Sequence, residues 1–279
     1  MDSIDAVVTM ISEFIETSPL NRVEEKEAIA SDFIGLRLFD SSPLIGVAAI
    51  DDPLFLEMRK PEAVGSHFRL PREWLPGASS VISYFLPFTK RVVESNRLDP
   101  EWPSPEWLHA RIEGQRFINA LSRHVMKRLS NAGFQTVVPA LAPEFSSWSG
   151  VAMMPGREKS YTSNWSERHV AHVAGLGSFG LSAALITRKG TAGRVGSVVT
   201  CLRLPPTPRP YSSFDAYCLY CNACARRCPV LAISPEKRRK DKQICSAMLN
   251  IGLGKFHPRY GCGKCYVGVP CESVNPRSR

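Results

Sequence analysis

The chain has 279 residues, enough to bury a sizeable core, with an ordinary globular balance of 44% hydrophobic and 22% charged residues. Its net charge of +9 is uneven: 17 Lys/Arg stand against 4 Asp/Glu from Arg188 onward, and 18 against 22 before it. The acidic start MDSIDAVVTMISEFIETS has no basic n-region, apolar h-region or twin-arginine pair. No apolar run approaches the ~18 residues needed to span a bilayer, so a soluble cytoplasmic protein with no membrane partner is expected.

Taken in chain order, Ile4, Val8, Ile11 and Ile15 recur at helical spacing and predict a helix over 4–15. LIGVAAI (44–50) predicts a strand or turn leading into a helix. SSVISYFLPF (79–88), rich in β-branched and aromatic residues, predicts a strand interrupted at Pro87. The clearest helix runs from about Trp102. Ile118, Leu121, Val125 and Leu129 line one face, and Gly133 stands at the C-cap. QTVVPAL (135–141) reads as a strand. SNWSERHVAHVAGLG predicts a helix that starts at Asn164, with Glu167 three residues on as a weak capping box, and stops near Gly175. LSAALITRKG and GRVGSVVTCLRL read as strands around a glycine-containing turn. The proline-rich PPTPRPY (205–211) reads as a stiff linker and marks the expected domain boundary.

Nine cysteines occur, none before Cys201, and eight lie between Cys218 and Cys271. The first group, Cys218-LY-Cys221-NA-Cys224-ARR-Cys228-Pro229, has the C-x₂-C-x₂-C-x₃-C-P spacing of bacterial two-cluster ferredoxins. Three cysteines two residues apart wrap a tight loop around one cubane, and the x₃ step turns the fourth thiolate away. Cys245, Cys262, Cys265 and Cys271 bring the total to eight, enough for two [4Fe–4S] clusters. Disulfides are disfavoured in an intracellular chain. Zinc, the other occupant of C-x₂-C pairs, is disfavoured by the x₃-C-P ending and the count of eight. Cys201, in the apolar SVVTCLRL, reads as a buried core thiol. A four-thiolate [4Fe–4S]²⁺ centre carries about −2 overall, so part of the basic excess offsets the clusters. The rest, including Lys237, Arg238, Arg239 and Lys240, reads as a solvated face, or as one turned to an acidic electron donor or a nucleic acid.

At VAGLGSFGLSAALITRKGTAGRVGSVVTCLRLPPTP, followed by the two cysteine groups, the sequence resembles the epoxyqueuosine reductase and reductive dehalogenase superfamily, over about Ser79 to Cys271. The resemblance implies an α+β protein. A modified nitroreductase-like α/β core over 1–204 would hold corrinoid and substrate, and a small two-cluster bacterial-ferredoxin-like domain would cover 205–279. By position it implies Cys218, Cys221, Cys224 and Cys271 for one cluster, and Cys228, Cys245, Cys262 and Cys265 for the other. The family ends C-x₂-C-x₃-C-P; here five residues separate Cys265 from Cys271, and Glu272 follows. Fourteen residues before the first glycine of the AGLG motif, where epoxyqueuosine reductases carry an aspartate proton donor, stands Tyr161. Dehalogenases use a tyrosine donor with a basic neighbour, which makes Arg157 and Lys159 its candidate partners.

The stretch Gly175-Leu176-Gly177-Ser178-Phe179-Gly180 follows a helix, not a strand, so it is no dinucleotide fingerprint. It is expected to let backbone approach a planar cofactor, with His169 and His172 lining the same wall and Glu167 and Arg168 beside them. The expected function is a cobalamin-dependent reductase. A low-potential ferredoxin- or flavodoxin-type donor would feed two [4Fe–4S] clusters, and a small organic molecule would be reduced. Two alternatives stand beside it: a non-catalytic electron-transfer or corrinoid-reactivating protein, and a tRNA-modifying enzyme of the epoxyqueuosine reductase kind.

Overall fold

A computed structural model describes residues 3–148 and 161–278. Helix α1 (Ile4–Thr17) starts at Ser3, whose hydroxyl accepts the Ala6 amide, and buries Val7, Met10, Ile11 and Ile15. Strand β1 (Leu44–Ala49) leads into two four-residue helices, α2 (Leu54–Glu57) and α3 (Pro71–Trp74), and then β2 (Ser80–Pro87). Helix α4 (Lys90–Leu98) is followed by the long α5 (Pro105–Asn131). Pro105 at the first turn and the Ser104 hydroxyl on the Trp107 amide start α5, and Gly133, at φ +89°, lets the chain turn away after it. Next come β3 (Thr136–Val137), β4 (Ser147–Trp148), β5 (Thr162–Ser163) and α6 (Glu167–Val173). Strands β6 (Gly177–Phe179), β7 (Leu185–Thr187) and β8 (Gly193–Thr200) complete the core. The cysteine-bearing remainder adds α7 (Ala223–Arg226), β9 (Ile233–Ser234), β10 (Arg239–Lys240) and α8 (Lys242–Phe256).

The main sheet is antiparallel with order β1-β2-β8-β3. Ser80 to Leu86 are all buried, because helices cover both faces of β2. Ile82, Tyr84 and Leu86 pack with Phe117, Leu121 and Val125 of α5 and with α1; Val81 points the other way, to Val170 and Val173 of α6. The result is a mixed α/β structure with a helical layer on each side of the sheet.

Several expectations are corrected. Only Thr136 and Val137 of 135–141 pair as a strand. Pro139 has no amide to donate and opens a 3₁₀ turn, Pro139–Leu141. Helix α6 begins at Glu167, not Asn164. The Asn164 side chain instead bridges backbone, accepting the Ser146 amide and donating to the Glu144 carbonyl. Strand β7 pairs with β6 as a hairpin and not with β8, which pairs with β2 along its length and with β3 at Val199 and Thr200.

The segment 205–211 lies along the outer edge of β1. Thr207 donates its amide to the Val47 carbonyl at 2.9 Å and accepts the Val47 amide on its hydroxyl at 2.9 Å. Arg209 pairs with Asp52 and donates to the Val173 carbonyl, so an edge strand is covered. The C-terminal end returns to the core as well. Thr191 donates to the Cys271 and Glu272 carbonyls, and Arg97 of α4 forms an ion pair with buried Glu272. Among the described residues no helix is long and apolar enough to cross a membrane.

Candidate functional site

The eight clustered cysteines divide between two spaces. Cys218, Cys221, Cys224 and Cys271 line a small one together with Leu181, Ile186 and Val269. Cys228, Cys245, Cys262 and Cys265 line a second, which is part of a cavity of about 890 Å³. Electrostatic coupling follows the same division: Cys271 feels Cys224, Cys218 and Cys221, whereas Cys262 feels Cys265, Cys245 and Cys228. Cys224 also feels Cys265, so the two groups adjoin. Among the described residues no three His, Cys, Asp or Glu side chains converge as a single-ion site requires.

Local backbone explains how the thiols turn inward. Tyr220 (φ 49°) and Asn222 (φ 61°) alternate with Cys221 in the first loop, and Gly263 (φ 72°) separates Cys262 from Cys265. Left-handed residues between right-handed ones point amides to the inside of a loop, a shape suited to anions. The Tyr220 amide accordingly donates to Cys218 Sγ at 3.4 Å, and the Ala232 amide to Cys228 Sγ at 3.2 Å. Burial, reinforced by neighbouring thiols, pushes Cys224 and Cys271 up to about 12 and Cys262 to about 11.

Two lysines attend the second group. Lys240 Nζ lies 3.8 Å from Cys265 Sγ. Lys264, fully buried, donates to the Asn96 carbonyl at 2.9 Å and to Asn96 Oδ1 at 3.2 Å, while Asn96 Nδ2 holds the Cys262 carbonyl at 3.0 Å. Burial pulls the Lys264 ammonium down to about 8, and the Cys262 charge opposes this. Among the described residues neither lysine pairs with a carboxylate.

The core supplies the rest of the large cavity's wall: Tyr161, Glu167, Arg168 and His169 from one side, and Arg111, Gln115 and Arg194 from another. Tyr161 has φ 59°, and its carbonyl accepts Lys242 Nζ at 3.1 Å. Glu167 Oε2 accepts the Ser197 hydroxyl at 2.7 Å, and that hydroxyl accepts Trp165 Nε1 at 3.0 Å. Burial pushes the Glu167 carboxyl up to about 7, with the Ser197 bond opposing it. Among the described residues Arg194 donates only to neutral acceptors: the Ala110 and Arg111 carbonyls and Gln115 Oε1. Burial, and then the nearby Arg111 charge, lower it to about 9.

Of the residues expected at a cofactor, His169 lines the cavity, with Nδ1 2.7 Å from the Ser166 hydroxyl. His172 turns away: Nδ1 donates to the Gly177 carbonyl at 2.8 Å, its ring stacks on Tyr211, and burial lowers its pKa. The stretch from Gly175 to Gly180 serves internal packing. A Cβ at Gly177 would collide with the Ile186 backbone, and Leu176 is in the core. Ser178 accepts the Tyr217 amide at 2.8 Å. Phe179 packs against both histidine rings, and Gly180 borders the smaller space. Arg157 and Lys159 lie outside the described residues. Cys201 is only half-buried; it lines neither space, and its sulfur faces Gly77. Sequence reasoning missed Arg194. Strand alternation places it on the Val198 side of β8, where a cation among apolar partners is the anomaly that could have flagged it.

No family model matches the chain. It is 38% identical over 107 residues to a tetrachloroethene reductive dehalogenase from Desulfitobacterium hafniense, covering 36% of this chain and 19% of that one. A tetrachloroethene reductive dehalogenase from Dehalobacter restrictus matches at the same identity and coverage. The matched segment thus spans about a fifth of these relatives' length. Among solved structures, an epoxyqueuosine reductase with a modified tRNA stem loop superposes with a TM-score of 0.51 at 16% identity, over 96% of this chain and 65% of that one. The chain therefore resembles the epoxyqueuosine reductase and reductive dehalogenase superfamily, sharing fold with the first and a stretch of sequence with the second.

Glu167 offers a test of the cavity wall. Its folded pKa of about 7 stands above the ordinary 4.5, so the native state holds the extra proton and stability falls as pH rises from about 4.5 to 7. Glu167→Gln should flatten that part of the melting-temperature profile and melt higher than the unsubstituted chain at pH 8. Parallel profiles would place the carboxyl in water.

Proposed function

We propose that the chain is an iron–sulfur oxidoreductase. In this reading a ferredoxin-like cysteine segment would hold two [4Fe–4S] clusters and the 890 Å³ cavity a corrinoid, which together would supply low-potential electrons for reducing a small organic substrate. The observation that carries the reading is the division of eight thiols into two foursomes, one of them in the wall of that cavity. The donor set fits such clusters on a second count. Part-buried Lys240 and fully buried Lys264 stand beside the thiols, and among the described residues neither forms an ion pair with a carboxylate, Asp99 acting on Lys264 only from farther off; a negatively charged centre would balance them. Cys218, Cys221, Cys224 and Cys271 would hold one cluster, and Cys228, Cys245, Cys262 and Cys265 the other. Cys221 is exposed, with Leu219 beside it and the Arg226 guanidinium on its carbonyl, which suits entry of electrons from an acidic donor such as a ferredoxin or flavodoxin.

The cavity lies at the upper end of ligand-pocket sizes and suits a large ring with a small molecule beside it. Bound there, a corrinoid would supply a low-valent cobalt able to reduce an organic bond. The chain's own part is to hold and move protons. Tyr161 is the candidate donor, and Glu167, whose carboxyl burial pushes up to about 7, is the second acid in the wall. Arg194, a cation bound only to neutral groups, would stabilise negative charge that develops in the cavity. A second reading, a tRNA-modifying reductase, is supported by the fold shared with an epoxyqueuosine reductase and by exposed Lys237, Arg238 and Arg239. Salt-dependent tRNA binding would favour it.

Anaerobic purification with added cobalamin should yield about eight irons and one cobalt per chain, by the four-iron count of each cluster. Eight irons without cobalt would leave an electron carrier. Once a substrate is found, Tyr161→Phe should lower turnover by roughly 10²-fold or more, the usual loss when a general acid is removed. An unchanged rate would sink the donor role.

A further inference from the structure

The two foursomes have unlike electrostatic surroundings, and on the cluster reading above this has a redox consequence. Cations near the outer foursome are exposed and reach carbonyls or rings, not sulfur. Arg226 donates to the Cys221 carbonyl at 3.2 Å, Arg277 to the Cys218 carbonyl at 2.9 Å, and Arg238 lies over the Tyr220 ring. A carboxylate stands in the same loop, since Asp215 accepts the Tyr220 hydroxyl. At the inner foursome the part-buried Lys240 Nζ is 3.8 Å from Cys265 Sγ, and fully buried Lys264, which stands between Cys262 and Cys265 in sequence, directs its ammonium to Asn96. Exposed charges are screened by water and salt, whereas a charge in a dry contact acts at a much lower dielectric.

A centre that gains an electron becomes more negative, so a fixed positive charge favours its reduced form and raises its potential. We propose that Lys240, with Lys264 behind it, sets the centre at Cys228, Cys245, Cys262 and Cys265 at a higher potential than the one at Cys218, Cys221, Cys224 and Cys271. One electron then moves from the outer centre, which is oxidised, to the inner one, which is reduced. No bond is made and no proton moves, and a low-potential one-electron donor refills the outer centre. The exposed face thus delivers electrons downhill to the cavity.

The test is a spin-resonance-monitored redox titration of the reconstituted full chain, with iron counted on each sample. Two midpoints are expected. Lys240→Met should move the higher one down and leave the lower in place, Lys240→Arg should restore most of the difference, and the exposed Lys255→Met should move neither. Lys240→Gln is a second uncharged variant should the methionine disturb folding. An uncharged variant that keeps eight irons with both midpoints unmoved, or with only the lower one shifted, overturns the inference alone. Fewer than eight irons in the unsubstituted chain overturns the cluster reading and this inference with it.

Discussion

Four sulfurs that must share one small, largely dry space impose the constraint on which the rest depends. Burial and mutual repulsion both disfavour thiolates there, which is why Cys224, Cys262, Cys265 and Cys271 are all driven up. Such a set becomes favourable only when positive charge enters with it. The structure meets that demand with inward amides at Cys218 and Cys228 and with ammonium groups at the inner foursome. An iron–sulfur core would supply the remainder, and its binding would drive the thiol protons off.

The α/β core places these groups with little freedom. Asn96 on α4 holds the Cys262 carbonyl and Lys264 at once, while Arg97 one residue on anchors Glu272 beside Cys271. Two adjacent residues of one helix thereby fix a piece of each foursome. On the opposite side, Thr207 and Arg209 bind the chain to β1 and α6 before the first cysteine loop begins. The 890 Å³ cavity draws its lining from both the core and the cysteine-bearing end. It has core acids and cations on one wall and thiols on the other, so a bound molecule would lie between the two.

What could be read from sequence was what is local. Helical periodicity located α1 and α5 and the β-branched run located β2, while the fixed spacing of Cys218 to Cys228 is what suggested the cluster loop proposed above. Non-local pairing was not legible. Asn164 is a plausible cap by sequence, and only its contacts with Glu144 and Ser146 decide that α6 starts later. The glycines at 175–180 resembled a cofactor cradle, yet Gly177 is small because Ile186 crosses it in a hairpin. Lys264 and Arg194 carried no motif; their weight comes from burial, a tertiary property. The nearness of Cys271 to Cys224 likewise depends on the chain's return past Thr191, and the five-residue spacing from Cys265 does not encode it.

The central claim is that the foursomes interleave: Cys228 follows the first loop in sequence but belongs with Cys262, and Cys271 follows Cys265 but belongs with Cys221. The most direct measurement compares the low-temperature spin-resonance spectra of reduced Cys228→Ser, Cys262→Ser and Cys221→Ser chains. The account predicts that Cys228→Ser and Cys262→Ser alter the same signal, while Cys221→Ser alters the other. A Cys228→Ser spectrum that matches Cys221→Ser instead would contradict it.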